Sequence, residues 1–166
     1  MCSSDLANGQ VSIFNGGATV DVVVDVSGWF TDASDPAATG GRFNGLAPTR
    51  IIDTRFGTGG IPRAPVRAGA PLTVSVAGLG GVPAMSAVVP PRAVVVNVTV
   101  TNTSTASNLT VYPSDALQPN SSDLNWIGGG TVCNLTLARL GADGRITLAN
   151  GFGSADAIVD VLGWFN

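Results

Sequence analysis

Apolar and polar residues alternate along much of the chain, and this period of two predicts β-strands. In residues 94–101, Val96, Val98 and Val100 fall on one face, whereas Asn97 and two threonines fall on the other. Such a segment offers one face to a hydrophobic core and one face to solvent. The same pattern, less regular in places, predicts strands at 50–53, 72–77, 109–112, 124–126, 131–137, 145–149 and 157–162.

About eight short strands within residues 42–166 favour an all-β fold, namely an antiparallel β-sandwich that is jelly-roll-like or another Greek key. The sequence Gly141-Ala142-Asp143-Gly144 lies between two of these strands and predicts a hairpin turn. A β-trefoil has a similar size and is the alternative fold. It would require three internal repeats, which the sequence does not show.

Residues 8–30 repeat the end of the chain. They align without a gap on residues 143–165, and ten of the 23 positions are identical. Self-similarity of this kind is typical of tandem repeats. In the second copy the identical positions are Gly144, Asn150, Gly151, Asp156, Val159, Asp160, Val161, Gly163, Trp164 and Phe165.

The repeat divides the chain into a partial unit and a complete one. Residues 42–166 are interpreted as a complete β module, residues 8–30 as the terminal hairpin of a preceding unit, and the small and polar residues 31–41 as a linker. Residues 1–7 are interpreted as a non-native start, because residues 2–6 read like a translated sequencing adapter in a metagenomic fragment. A hairpin without its own unit is expected to add to the complete module as a strand pair or to stay poorly ordered.

Composition narrows the possible functions. Only 11% of the residues are charged, every acid is Asp, every base is Arg, and the net charge is −3. The absence of Glu and Lys argues against an all-helical protein, and scattered Arg residues in an acidic chain argue against a nucleic-acid partner. Because no apolar run approaches the ~18 residues that a membrane-spanning helix needs, no membrane insertion is expected.

The sequence lacks the residues that most catalytic and metal sites use. Histidine, the commonest general base and a frequent zinc ligand, is absent. The cysteines Cys2 and Cys133 form no C-x-x-C pair, and Cys133, in a strand, is expected to be buried. We therefore expect no enzyme activity, no metal and no cofactor.

Asp156 and Asp160, like their copies Asp21 and Asp25, fall on one face of a predicted strand. Four residues separate the two carboxylates by about 13 Å at ~3.3 Å per residue, which is too far for glycosidase chemistry. They are interpreted as solvated charges at a sheet edge. A Ca²⁺ site completed by a loop carboxylate or Asn is the alternative.

Five motifs in order resemble a repeat module of exported actinobacterial proteins. The first is P-x-R-[LI]-[LI]-D-T-R at 48–55 and the last is V-D-V-x-G-[YW]-F at 159–165; between them lie G-x-G-G-V-P at 78–83, V-x-N-V-T-V-T at 95–101 and L-T-V-Y-P at 109–113. The resemblance implies an accessory module without assigned catalytic residues, located outside the cell or at its surface. It also implies neighbouring repeat units and an attached peptidase, amidase or glycoside-hydrolase domain as partners.

Arg50, Asp53 and Arg55 form the densest polar group in the sequence. Two guanidinium groups beside one carboxylate could bind a carboxylate or a sugar acid. The simpler interpretation is that Asp53 fastens this segment to neighbouring turns through paired hydrogen bonds.

Trp126 and Tyr112 are the aromatic candidates for stacking on sugar rings. Trp126 is favoured because residues 128–130 are glycines that would leave one face of its ring open. Trp29 and Trp164 follow glycines at strand ends and are expected to close the end of the sandwich instead.

Together these patterns predict a structural or spacer role in an exported tandem-repeat surface protein. The alternative is a carbohydrate-binding module for cell-wall glycan or extracellular polysaccharide.

Overall fold

The computed structural model describes residue 10, residues 12–28 and residues 41–166. Within these residues there are nine strands and no helix. The strands are β1 Phe43–Asp53, β2 Val66–Arg67, β3 Leu72–Ser75, β4 Ala93–Thr101, β5 Ser107–Pro113, β6 Leu124–Trp126, β7 Val132–Arg139, β8 Arg145–Asn150 and β9 Ser154–Phe165.

The strands form two antiparallel sheets. The first has the order β1-β9-β4-β7, with the two-residue β2 paired to the start of β9, and the second has the order β3-β8-β5-β6. Every connection except β1–β2 and β5–β6 passes from one sheet to the other, which is the strand order of a jelly roll. The predicted β-sandwich is confirmed, and the alternative of a β-trefoil is wrong.

The core lies between the two sheets and is built from alternate residues of their strands. Val94, Val96, Val98 and Val100 of β4 all have 0% exposure, as the period of two predicts. The second sheet contributes side chains such as Leu148, which also has 0% exposure. The two central strands of each sheet, β9 and β4 in the first and β8 and β5 in the second, therefore carry most of the buried aliphatic residues.

Every segment predicted from the alternating pattern overlaps a strand, but two connections differ from the expectation. The tight turn at residues 141–144 is present, with Gly144 at a φ of 75°. It is not a hairpin turn, because β7 and β8 lie in different sheets. The same holds for β8 and β9, so the segment that residues 8–30 repeat crosses between sheets and is not a hairpin.

Residues 12–28 form no strand, and all of their side chains are exposed. Residues 1–7 and nearly all of the predicted linker at 31–41 lie outside the described residues, as do Trp29 and Phe30. The division into a partial and a complete unit stays a prediction. The described residues contain no helix that is long and apolar enough to cross a membrane.

Candidate functional site

The polar cluster of Arg50, Asp53 and Arg55 lies where β1 ends. At this point the chain turns sharply, because the carbonyl oxygen of Asp53 accepts hydrogen bonds from the backbone N–H groups of Phe56, Gly57 and Thr58 at 3.2, 2.9 and 3.1 Å. Gly57 has a φ of 74°, which favours glycine. The turn brings Arg55 back beside the side chain of Asp53.

The carboxylate of Asp53 is buried, with 1% of the residue exposed. It accepts three hydrogen bonds from Arg55: from the backbone N–H at 3.1 Å, from Nε at 2.9 Å and from Nη2 at 2.7 Å. Arg50 Nη1 lies 3.6 Å from the same carboxylate. Hydrogen bonds from the Arg55 guanidinium hold the pKa of Asp53 below its usual range, because they stabilise the charged form.

Arg50 connects β1 to β9. It faces Asp160 in the register of the two strands, and its Nε and Nη2 donate to the two carboxylate oxygens of Asp160 at 2.9 and 3.3 Å. This bidentate pair lies on the outer face of the first sheet, where the Arg50 side chain is 48% exposed. The cluster therefore extends across two strands that are far apart in the sequence.

Thr54 and Asp156 form a second link between the same elements. The buried Thr54 hydroxyl donates to Asp156 Oδ1 at 2.8 Å and accepts from the backbone N–H of Ala157 at 3.0 Å. Asn102 Nδ2, from the loop between β4 and β5, donates to Asp156 Oδ2 at 2.9 Å. Thr54 and Asn102 were not among the sequence candidates. The structure places Asn102 at a φ of 50°, which is unusual for a residue other than glycine.

These contacts correct the interpretation of Asp156 and Asp160 as solvated charges at a sheet edge. β9 is a central strand with neighbours on both sides, and each carboxylate is held by its own partners from adjacent elements. The described residues contain no group of three or more His, Cys, Asp or Glu side chains that could hold a metal ion. The cluster links the end of β1 to β9. The guanidinium groups of Arg50 and Arg55 are each paired with a carboxylate of this chain.

Trp126 does not offer an open ring face, so that expectation is wrong. The residue is 7% exposed, packs in the core, and its indole N–H donates to the carbonyl oxygen of Thr105 at 3.0 Å. The glycines have the opposite effect to the expected one: they let the loop fold back so closely that a Cβ on Gly128 would lie 3.1 Å from the Cα of Thr105. A sugar ring cannot stack on a tryptophan that is covered in this way.

The other candidates are also dispersed. Tyr112 is 9% exposed and lies with Trp126 on the second sheet, whereas the charged candidates lie on the first. Trp164 is partly buried against the core, in agreement with its expected place at the end of the sandwich. Cys133 is exposed on the edge strand β7, so its predicted burial is wrong. The structure does not unite the five predicted binding residues in one site.

A groove of about 570 Å³ runs beside β7 and is lined by residues of β5, of the segment before β6 and of residues 25–27. Asp123, a residue that sequence reasoning missed, lies in its wall and accepts a hydrogen bond from the backbone N–H of Val111 at 2.7 Å. Burial raises the pKa of Asp123, and the nearby charge of Asp25 adds to this effect. The groove thus holds the partly buried carboxylate of Asp123, and Arg139 is the one cationic residue among the described residues that line it.

Asp53→Asn is expected to destabilise the protein at neutral pH and to lose this effect in acid. Because the pKa of Asp53 is lowered in the folded state, its charge stabilises the fold above its unfolded pKa of about 3.9. That contribution is lost as the pH falls through the lowered pKa. Urea denaturation should show a gap between wild type and variant at pH 7 that narrows in acid, while the exposed Asp115→Asn control, at a carboxylate that also accepts a backbone N–H, shows a much smaller gap.

Asp123→Asn is expected to act in the opposite direction. Because the pKa of Asp123 is raised in the folded state, its charge costs stability above that pKa, and the cost disappears as the pH falls below about 3.9. The amide oxygen of Asn can still accept from Val111. Denaturation curves should show a variant at least as stable as wild type at pH 7, and a clear loss of stability there would contradict the argument.

Comparison with known proteins supplies no assignment for this cluster, since no protein-family model matches the chain and no curated protein matches it significantly.

Proposed function

We propose that residues 42–166 are a non-catalytic structural module of an exported tandem-repeat surface protein. The proposal rests on the places that the identical positions of the repeat occupy in the fold. They fall on residues whose contacts the fold of the module requires, in the crossing from β8 to β9 as well as in β9 itself. Chance similarity between two Val-rich segments would not select these positions.

Three identical positions lie at or between the tight turns around β8. Gly144 has a φ of 75°, and a Cβ there would lie 2.8 Å from the Cγ of Met85. The buried Asn150 donates to the carbonyl oxygen of Val66 at 3.1 Å and accepts from Ser107 at 2.7 Å. A Cβ on Gly151 would lie 2.9 Å from the Oδ1 of Asn108. The presence of Gly9, Asn15 and Gly16 at the equivalent places supports a shared fold for the two copies.

The end of the module supports a particular geometry of attachment. The backbone N–H of Arg42 donates to Asn166 Oδ1 at 2.8 Å, and the rings of Phe43 and Phe165 lie 5.1 Å apart. Because both ends of the module leave from the same side, the spacing between successive units is set by the linker. The 11 residues of 31–41 reach at most about 40 Å at ~3.3–3.6 Å per residue. Each unit would then project to one side of the line formed by successive linkers. The proposed location outside the cell or at its surface rests on the five-motif resemblance.

Binding to glycans decides between this role and a ligand-binding one. The full chain should not be retained on a glycan array or on insoluble peptidoglycan, because its large aromatic candidates Trp126 and Tyr112 are buried. Saturable retention, competed by soluble sugar, would overturn the proposal in favour of a carbohydrate-binding module. Phe152→Ala, at an aromatic side chain that is 66% exposed, would then show whether a remaining surface ring is responsible.

A further inference from the structure

We propose that the slot between β1 and β4, which β9 occupies, can also be filled by residues 19–28. The last strand of one unit can then replace the last strand of the next. The inference rests on the proposed repeat relationship. Residues 19–28 correspond to residues 154–163 of β9. The chain would therefore hold two strands that compete for one place in the sheet.

The polar contacts that hold β9 in place are available to both strands. Asp156 bonds to Thr54 and Asn102, and Asp160 bonds to Arg50; the first copy has aspartates at the same positions, Asp21 and Asp25. These partners belong to β1, to the turn after it and to the loop between β4 and β5, not to β8 or β9. An incoming strand with both carboxylates would recover the same hydrogen bonds.

The close approach of β9 to β1 imposes a further requirement. At Gly163 a Cβ would overlap the ring of Phe43 and lie 2.8 Å from the carbonyl oxygen of Asn44, so only glycine fits. The first copy has Gly28 at this position. The one residue type that the slot demands for steric reasons is thus present in both strands.

The core-facing positions explain why β9 occupies the slot when both strands are present. Val159 and Val161 have 0% exposure and are matched by valines in the first copy. Ala155 and Ala157, 1% and 0% exposed, are matched by Val20 and Val22, which add methyl groups to a packed core. Overpacking disfavours the first copy without excluding it.

The connection favours the exchange. β9 runs antiparallel to β1 with Gly163 opposite Gly45, so a strand that ends at Gly28 needs only a return loop to reach the start of β1. Neighbouring strands are about 5 Å apart, and the entropic cost of closing a loop across this distance grows only slowly with the length of the loop. Val22, Val23 and Val24 are 54%, 85% and 62% exposed in residues 12–28, and the slot would bury part of this apolar surface.

A pair of matched substitutions in the full chain tests the proposal. Val159→Asp places a charge in the core and should eject β9, after which residues 19–28 should fill the slot. Urea denaturation is then expected to retain a cooperative transition at a lower midpoint. Val24→Asp alone should leave the wild-type midpoint nearly unchanged, and Val24→Asp with Val159→Asp should abolish the transition.

Two outcomes would overturn the proposal: no transition for Val159→Asp, or an equal transition for Val159→Asp with and without Val24→Asp. Gel filtration shows whether the replacing strand comes from the same chain or from a second copy, and both support the exchange. A glycan-binding result would overturn the structural role while leaving these denaturation results unchanged, so the two failures are distinguishable.

Discussion

Gly59→Ala is expected to lower the free energy of unfolding substantially. Gly59 has a φ of 88°, and an added Cβ would overlap the carbonyl oxygen of Ile51 and lie 2.6 Å from the Cδ1 of Ile52. The left-handed conformation costs alanine about 1–2 kcal/mol, and the overlap with the buried end of β1 adds roughly 1–3 kcal/mol. Urea denaturation monitored by circular dichroism measures the sum.

Gly60→Ala is the matched control for this prediction. Gly60 also has a positive φ, 71°, but an added Cβ would meet no atom within 4 Å. Its cost should be the conformational part alone, about 1–2 kcal/mol. If the two variants were equally stable, an added Cβ on Gly59 would not collide with β1, and the turn would not help to place Asp53.

The fold was predictable to the level of its strands. Alternation identifies segments such as 94–101 because one face of β4 is buried and the other is not. The pattern does not show which strands pair, and so the short turn at 141–144 suggested a hairpin where the chain crosses between sheets. The two-residue β2 carries too few residues to show a period, and the start of β1 is largely exposed and contains Gly45 and Pro48.

The polar cluster was predictable only in its local part. Asp53 and Arg55 are two residues apart, so the sequence alone suggests their contact. The partners Asp160 and Asp156 lie 110 and 102 residues away from Arg50 and Thr54, and only the register of β1 with β9 brings them together. Sequence reasoning placed these acids on one strand face correctly but could not know that the strand is central.

The error at Trp126 has a similar cause. A run of glycines removes side chains from a loop, and this can either uncover a neighbouring ring or let the loop pack on it. The choice depends on the loop that approaches from the other side. Here the carbonyl oxygen of Thr103 accepts a hydrogen bond from the backbone N–H of Gly129, and that of Thr105 accepts one from the indole N–H of Trp126. The glycines allow the two loops to pack this closely.

If two layers of aliphatic side chains make the module stable, Leu148→Ala should lower the free energy of unfolding by about 2–5 kcal/mol, the range for truncating a buried leucine. Leu148 has 0% exposure and lies in the central strand β8, opposite Leu72 on one side and Val111 on the other. Leu117→Ala makes the same chemical change at a side chain that is 94% exposed and should stay within about 0.5 kcal/mol of wild type. Urea midpoints with unchanged slopes measure both effects. Similar losses for the two variants would contradict the two-layer core and, with it, the structural role that depends on it.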